Sequence, residues 1–280
     1  MANEHPLRIG PNYEIINSLY EVVHDNPYYT CQVTIGNRTI TKADREATAS
    51  FCQETNQRLY IHTHLHNNLA KVDARTTLRN LKKDLSIIKG IPGAAVLHVG
   101  KACDHTPKGK RQSCLQHDDA LQAIIHRLND LEPYIRTEGR PILLLENAAG
   151  QGTELGNNWD DFRRIAESLD RNYLGICLDT QHAFASGVTD WSSYQETNRL
   201  LDKAIATGFP VELIHLNDSR VAFGSRVDRH ESIGQGYIWK DNQEGLVELL
   251  ARCIEEDRDI VLETPTQIED INYIYNLFPS

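Results

Sequence analysis

Residues 141–146 read PILLLE, a short apolar run that ends in a carboxylate at Glu146. Short apolar runs bounded by polar residues are typical of buried β-strands. Five more runs end on histidine, aspartate or glutamate: RLYIH at 58–62, AAVLH at 94–98, LGICLD at 174–179, VELIH at 211–215 and DIVLE at 259–263. Side chains at successive strand ends converge on one point when the strands run parallel around a barrel. A (β/α)8 barrel builds its active site at the C-terminal mouth in this way.

The rest of the chain supplies the other elements of such a barrel. Two further β-rich runs, 7–10 and 31–35, bring the predicted strands to eight. Helical patterns lie between and after the strands, at 13–25, 44–55, 77–90, 117–135, 159–170, 191–208, 242–257 and 268–278. The alternation predicts an α/β fold, a TIM-type (β/α)8 barrel with a metal cluster at its C-terminal mouth, as a single domain over residues 1–280. Two long polar loops, 100–113 and 217–242, are expected on the active-site face.

Composition narrows the class of protein. The chain has 280 residues, of which 40% are hydrophobic and 24% charged, as in ordinary globular proteins. No apolar run approaches the ~20 residues that span a membrane, and the first residues lack a signal-peptide pattern. Six scattered cysteines without a CxxC pair favour reduced thiols. We therefore expect an intracellular, cytoplasmic protein with no membrane partner, with the nucleus or a virion as alternatives.

Two loop motifs enlarge the set of metal-binding side chains. DTQH at 179–182 and RVDRH at 226–230 each place an aspartate close to a histidine. A single strand-end histidine is more often structural, and a strand-end acid often caps a helix, but here the pattern repeats. One zinc ion uses about four ligands, so the full set predicts two or three ions, which suit phosphoester hydrolysis. The nine candidate ligands are His62, His98, Glu146, Asp179, His182, His215, Asp228, His230 and Glu263.

Longer segments carry a resemblance to a known family. They are ENAAGQGTELG (146–156), CLDTQHAFASG (177–187), HLNDSRVAFGSRVDRHESIGQG (215–236) and LETP (262–265). In this order they resemble the signature segments of the endonuclease IV family of apurinic/apyrimidinic endonucleases. HVG at 98–100 resembles that family's HPG, so the resemblance runs from about residue 58 to 265.

The resemblance implies a trinuclear zinc site on a TIM barrel. The first zinc would be held by His62, His98 and Glu146, and the third by His182, Asp228 and His230. Glu146 would bridge to the second zinc, held also by Asp179, His215 and Glu263. Glu146, Asp179 and Glu263 are accordingly the predicted catalytic residues. Ligands without thiolate suit zinc, with Mn²⁺ as the alternative at some positions.

The resemblance also implies an activity and a partner. The family hydrolyses the phosphodiester 5′ to an abasic site, leaving a 3′-hydroxyl, and related activity trims blocked 3′ ends. The expected partner is double-stranded DNA with such lesions, and we expect a monomer.

The loop after His62 and the two mouth loops contain the predicted DNA contacts. The family often has an aromatic residue after its first histidine, where this chain has Thr63 to His66. Leu65 is the predicted wedge into the minor groove, and Arg226 and Arg229 the predicted phosphate contacts. If these side chains do not contact DNA, Leu65 packs on its own loop and the arginines are solvated surface charges. Lys101, Lys108, Lys110, Arg111 and Arg220 are further basic residues of the two mouth loops.

Two other functions compete with an abasic-site endonuclease. A sugar isomerase or epimerase can use the same barrel with one or two divalent ions. It needs only about four or five metal-binding side chains and proton-transfer groups. A non-catalytic binder of damaged DNA is the second rival, and an intact ligand set argues against it.

Overall fold

Eight of the apolar runs form parallel strands that close into one barrel. The computed structural model describes residues 5–14, 18–36, 38–103, 114–136, 139–169 and 173–277. Its strands are β1 (Arg8–Glu14), β2 (Thr30–Thr34), β3 (Arg58–His62), β4 (Gly93–His98), β5 (Leu143–Glu146), β6 (Leu174–Asp179), β7 (Val211–His215), β8 (Asp218–Ser219), β9 (His230–Glu231) and β10 (Asp259–Leu262). Around the barrel the order is β1-β10-β7-β6-β5-β4-β3-β2, and β8 and β9 form a separate antiparallel ribbon. The predicted (β/α)8 barrel is confirmed.

Helices connect the strands and cover the barrel. They are α1 (Leu19–Asp25), α2 (Lys42–Thr55), α3 (Arg75–Ile88), α4 (His117–Ile135), α5 (Trp159–Ser168), α6 (Thr180–Ala185), α7 (Tyr194–Ile205), α8 (Glu244–Glu255) and α9 (Gln267–Leu277). Several begin at a capping side chain: Thr41, Asn158 and Ser193 each accept a hydrogen bond from the backbone N–H three residues later. Within the described residues, the helices are too short or too polar to cross a membrane.

Two apolar cores flank the strands. The larger one lies between the barrel and its helices and includes Phe162, Trp191 and Trp239, all buried. The smaller one fills the barrel and consists of Tyr60, Ala94, Val96, Leu144, Cys177, Leu213 and Val261. Because side chains alternate along a strand, the residue two positions after each of these also points into the barrel.

The first predicted helix begins later than its pattern suggested. Residues 13–25 were predicted to be helical, but β1 continues to Glu14 because Asn12, Tyr13 and Glu14 pair with β2. Helix α1 starts only at Leu19, where the Ser18 side chain accepts a hydrogen bond from the Glu21 N–H. Pairing with a neighbouring strand therefore outweighs the local helical periodicity.

The reduced-thiol interpretation is wrong for one pair of cysteines. Cys103 and Cys114 form a disulfide across an antiparallel bridge, with Cα atoms 4.1 Å apart. The bridge aligns them because Leu115 N–H donates to the Ala102 carbonyl. The other four, Cys31, Cys52, Cys177 and Cys253, are buried free thiols. Residues 104–113, which contain Lys108, Lys110 and Arg111, lie outside the described residues.

Candidate metal centre

Six inward-facing rows of barrel side chains end in a candidate metal ligand. His62 follows Tyr60 by two positions, and His98 follows Val96 in the same way. Parallel pairing then sets the ends level, since His98 is opposite Glu146 and Asp179 is opposite His215. In the other four rows the interior residue is likewise followed two positions later by a candidate ligand: Leu144 by Glu146, Cys177 by Asp179, Leu213 by His215 and Val261 by Glu263. The apolar interior of the barrel thus changes to a ligand-bearing layer at its C-terminal mouth.

His182 reaches this layer from a helix that sequence patterns did not predict. Asp179 is the N-cap of α6, and its Oδ1 accepts a hydrogen bond from the His182 N–H at 2.6 Å. Its Oδ2 faces the mouth, 3.9 Å from both His215 Nδ1 and His230 Nε2. Asp179 therefore caps the helix with one oxygen and faces the candidate metal centre with the other.

A buried carboxylate holds the loop that carries Asp228 and His230. Asp218 accepts backbone N–H bonds from Ser219, Gly234, Gly236 and Ile238, at 2.7 to 3.1 Å. Burial raises the pKa of Asp218, although these N–H groups oppose the rise. Pairing of β8 with β9 places His230 opposite Ser219. Sequence reasoning did not single out Asp218, although its motif lies within the segment that carries the resemblance.

The candidate ligands gather into three groups. His62, His98 and Glu146 form the first, and Glu146, Asp179, His215 and Glu263 form the central one. In the third group Asp179, His182 and His230 lie together, and in each of the three sets the ligand atoms lie within 4.8 Å of one another. Asp228 joins the third group, with its carboxylate 3.5 Å from His182 Nε2 and 3.3 Å from His230 Nε2. The structure brings all nine predicted positions together at the mouth.

Outer hydrogen bonds determine which imidazole nitrogen faces the carboxylates. Nδ1 of His62 lies 2.8 Å from the Thr63 carbonyl, and Nδ1 of His182 lies 2.8 Å from the Asn147 carbonyl. His230 Nδ1 approaches the Glu263 carbonyl at 3.3 Å. A carbonyl only accepts, so Nδ1 carries the proton in each ring and Nε2 faces inward. Metal-ligating histidines are typically anchored through the other nitrogen in this way.

Polar atoms without hydrogen bonds mark the positions between the ligands. Glu146 Oε2 and His230 Nε2 are both buried, and neither atom has a hydrogen-bond partner. Glu146 Oε2 instead lies 3.3 Å from His62 Nε2 and 3.1 Å from His98 Nε2. Buried polar groups are normally satisfied, and a divalent cation held by these nitrogens and oxygens would satisfy them. The residues therefore fit a metal centre.

The carboxylates also control the histidine charges. Burial lowers the pKa of His62, but the close approach and charge of the Glu146 carboxylate outweigh it and raise that pKa to about 9. Burial also lowers the pKa of His230. The carboxylates of Asp228, Asp179 and Glu263 outweigh this effect and raise that pKa to about 9. Among the described residues no lysine or arginine forms an ion pair with Glu146, Asp179, Asp228 or Glu263. The mouth thus has negative charge that only histidine protons or bound cations can balance.

The fold and these segments connect the chain to known proteins. A family described as xylose isomerase-like TIM barrel matches residues 21–270. The chain belongs to this family. A probable endonuclease 4 from Alkaliphilus oremlandii is 35% identical to it over 156 residues, which cover 53% of this chain and 51% of that protein. Several further relatives with the name probable endonuclease 4 match, and the predicted resemblance to the endonuclease IV family is confirmed.

Solved structures agree on the fold of this xylose isomerase-like barrel. Endonuclease IV from Thermus thermophilus superposes with a TM-score of 0.75 at 24% identity, covering 97% of each chain. A D-tagatose 3-epimerase-like protein superposes with a TM-score of 0.67 at 15% identity, covering 97% of this chain and 95% of the other. Similarity at these identities describes the barrel alone. The first curated relatives are matched over between about half and two thirds of their own lengths.

Three residues that surround the candidate ligands were missed by sequence reasoning. Asn217 donates to Asp179 Oδ2 at 2.8 Å and accepts from the Glu263 N–H at 2.9 Å. Asn147 exchanges two hydrogen bonds with the Asp179 backbone, at 3.0 and 2.7 Å. Gln32, on β2, contacts both His215 and Glu263. Asn147 directly follows a predicted strand end and Asn217 lies two residues beyond one, and this position is the signal in the sequence that could have identified them.

The predicted DNA-contacting side chains are exposed. Leu65 is 65% exposed, which speaks against a leucine packed on its own loop. Arg226 and Arg229 are also exposed, although the Arg229 guanidinium donates to the Asp228 carbonyl at 2.6 Å. Lys101 and Arg220 instead pair with Glu154 and Glu231, at 3.0 and 3.1 Å. Phe223 and Tyr237 add exposed aromatic surface to the loop after β7, and neither was predicted.

Proposed function

We propose that this protein is a metal-dependent abasic-site endonuclease that hydrolyses the DNA phosphodiester 5′ to the lesion and leaves a 3′-hydroxyl. The observation that carries the proposal is the convergence of all nine candidate ligands into three contiguous groups. The similarity to proteins named probable endonuclease 4 supports the choice of DNA as the substrate. Trimming of blocked 3′ ends, action as a monomer and a cytoplasmic location complete the proposal.

The three groups would hold three zinc ions. His62, His98 and Glu146 would hold the first, and Glu146, Asp179, His215 and Glu263 the second. His182, Asp228 and His230 would hold the third, and Mn²⁺ is the alternative at some positions. Bound divalent ions supply Lewis acidity, which lowers the pKa of water and neutralises phosphate oxygens.

The chain's own residues would orient the reactants. Glu146 lies where the first two groups meet, and its Oε2 accepts no hydrogen bond, so it is placed to orient the attacking water. Asp179 and Glu263 would be held in place in the central group, because Asn217 bonds to the Asp179 carboxylate and to the Glu263 backbone. Leu65, Arg226 and Arg229 would position the duplex above the mouth.

The rival carbohydrate activity has a specific basis. The family description and the epimerase-like neighbour show that the barrel itself does not distinguish the two reactions. The central group alone would supply the four or so ligands that one ion requires. The first and third groups exceed that need, and for this reason we favour phosphodiester hydrolysis.

A nicking assay would test the proposal. The substrate is a duplex with one tetrahydrofuran abasic analogue, which cannot undergo β-elimination, so only hydrolysis cuts it. Metal content is measured on the same preparation, and an undamaged duplex of the same sequence is the control. We expect a cut 5′ to the lesion and about three ions per chain. Full metal loading without cutting would overturn the proposal and favour the carbohydrate reaction or a non-catalytic DNA binder.

A further inference from the structure

Gln32 is a polar side chain in a row of the barrel interior. It is fully buried, and strand pairing places it level with Tyr60, one of the apolar residues that fill the barrel. Burying an amide is unfavourable unless its hydrogen bonds are satisfied. Both ends of the Gln32 amide are satisfied, and both by candidate metal ligands.

Glu263 determines the orientation of the Gln32 amide. Gln32 Nε2 lies 2.7 Å from Glu263 Oε1, and an ionised carboxylate only accepts hydrogen bonds. The NH₂ end of the amide must therefore face Glu263. Asn12 supports this orientation, since its Oδ1 accepts from the same Nε2 at 3.4 Å.

The amide orientation in turn selects a nitrogen of His215. Gln32 Oε1 lies 2.9 Å from His215 Nε2, and a carbonyl oxygen only accepts, so Nε2 must carry a proton. Nδ1 is the nitrogen left to face the mouth. It lies 3.1 Å from Glu146 Oε1, 3.4 Å from Glu263 Oε2 and 3.9 Å from Asp179 Oδ2.

We propose that Gln32 is a positioning residue of the central metal site, which selects Nδ1 of His215 as the ligand atom and turns Glu263 Oε2 toward the ion. The inference rests on the proposed metal centre. His62, His182 and His230 are anchored by backbone carbonyls, which no substitution removes. His215 is anchored by a side chain, and this makes its orientation open to mutation.

Two substitutions separate the two contacts of Gln32. Gln32→Met keeps the length and burial of the side chain but removes both hydrogen bonds. Gln32→Glu keeps an acceptor for His215 and places a second carboxylate against Glu263. Gln57→Met is the matched control, because Gln57 is also buried and donates to two carbonyls, of Asn26 and Tyr28, away from the ligands.

The first measurement is zinc affinity by competition with a chelator, on the folded full-length chain. Loss of an outer-shell partner typically lowers metal affinity 10–100-fold. We expect a loss of about that size in Gln32→Met for one ion per chain, and wild-type affinity in Gln57→Met. Circular dichroism checks that each variant is folded.

The second measurement is the proton NMR signal of the His215 ring N–H in the zinc-loaded protein. A hydrogen-bonded, buried ring proton exchanges slowly with water, so we expect the signal in wild type, Gln32→Glu and Gln57→Met. In Gln32→Met it should disappear or exchange rapidly. Wild-type zinc affinity together with a retained signal in Gln32→Met would overturn the inference while leaving the proposed function standing. Wild-type protein that binds no zinc would overturn the metal centre itself, and the inference with it.

Discussion

The two poles of the barrel both bury charge, but they balance it differently. At the N-terminal pole Asp259 is fully buried and contacts Arg8 at 2.7 Å, Arg58 at 3.0 Å and the Tyr60 hydroxyl at 2.6 Å. At the C-terminal mouth Glu146, Asp179 and Glu263 face histidines, and the described residues place no lysine or arginine against them. Strand β10 carries a carboxylate toward each pole, Asp259 at its start and Glu263 just after its end.

This difference separates a charge cluster that is neutralised within the fold from the candidate metal centre. Arginine partners neutralise Asp259 within the fold itself, so that pole requires nothing from solution. The mouth leaves its carboxylates to be balanced by cations from solution, which suits a metal centre. The position of arginine therefore indicates which pole binds ligands, although both contain buried acids.

Asp259→Asn should produce the largest effect on stability. Removing one partner of a buried ion pair leaves the other charge uncompensated and typically costs about 3–5 kcal/mol. Urea unfolding followed by circular dichroism would measure the loss, while zinc content should stay at the wild-type value. Asp257→Asn is the matched control, because Asp257 pairs with the same Arg58 but is 59% exposed and should contribute less than about 1 kcal/mol. Equal losses in the two variants would contradict the assignment of a buried structural cluster.

Glu263→Gln should affect catalysis rather than folding. It removes a charged candidate ligand with little change in volume, so we expect nicking to fall about 100-fold or more, beyond the usual outer-shell loss. In the metal-free protein burial raises the pKa of Glu263, but His215 and His62 outweigh it and lower that pKa, so the charge contributes stability and the free energy of unfolding should not exceed that of wild type. Wild-type turnover with unchanged zinc content would sink the assignment of Glu263 to the central site.

The pH dependence of metal binding should reveal the same charge balance. In the metal-free fold the pKa values of His62 and His230 are about 9, above the ordinary value of 6.5. Both rings are therefore positively charged at neutral pH, and a bound cation must displace the proton on the inward-facing Nε2 of each ring. Zinc affinity should rise about tenfold per pH unit for each displaced proton, up to about pH 9.

The stability of the metal-free protein should change in the opposite direction. A raised folded-state pKa contributes stability that is complete below about pH 6.5 and is lost as the pH rises through about 9. Chelator competition and urea unfolding at matched pH values would measure both trends. Zinc affinity that is independent of pH from 6.5 to 8.5 would contradict the proposed proton displacement.

The barrel and the convergence of its candidate ligands could be predicted from the sequence. Each inward-facing row ends where the apolar run ends, so the strand-end histidines and carboxylates mark both the strands and the mouth. Period-two alternation carries this information without any alignment. DTQH and RVDRH were recognised because their residue types suit metal ions and not because of their local structure.

The outer residues could not be predicted in the same way. Gln32 lies in the predicted strand CQVTI, where a polar residue indicates only that some buried partner exists. That partner, His215, comes from β7, three strands away around the barrel. Asp218 holds four backbone N–H groups of a loop whose path no periodicity encodes. The pairing of Cys103 with Cys114 likewise depends on a bridge formed between loop segments. Contacts between segments that no local periodicity relates decide all three features.

The smallest expected effect concerns the exposed cations that rim the mouth. Arg226→Gln should weaken binding to abasic duplex DNA uniformly and reduce the slope of log affinity against log salt by about one, the value for one phosphate contact.

Leu65→Ala should weaken binding without changing that slope, because an apolar wedge displaces no counterions. Fluorescence anisotropy across a salt series would measure both.

Lys203→Gln provides the control, since Lys203 is an exposed cation in the last turn of α7, where barrel helices return to the N-terminal pole. It should leave the slope unchanged, because the proposed duplex lies over the opposite pole. A slope that falls equally in Lys203→Gln and Arg226→Gln would mean that DNA is attracted by overall charge and not by the mouth. At a net charge of −10, such attraction requires a local concentration of cations, and the proposed metal ions at the mouth would add to it. Metal removal should therefore lower DNA affinity even in variants that retain Arg226.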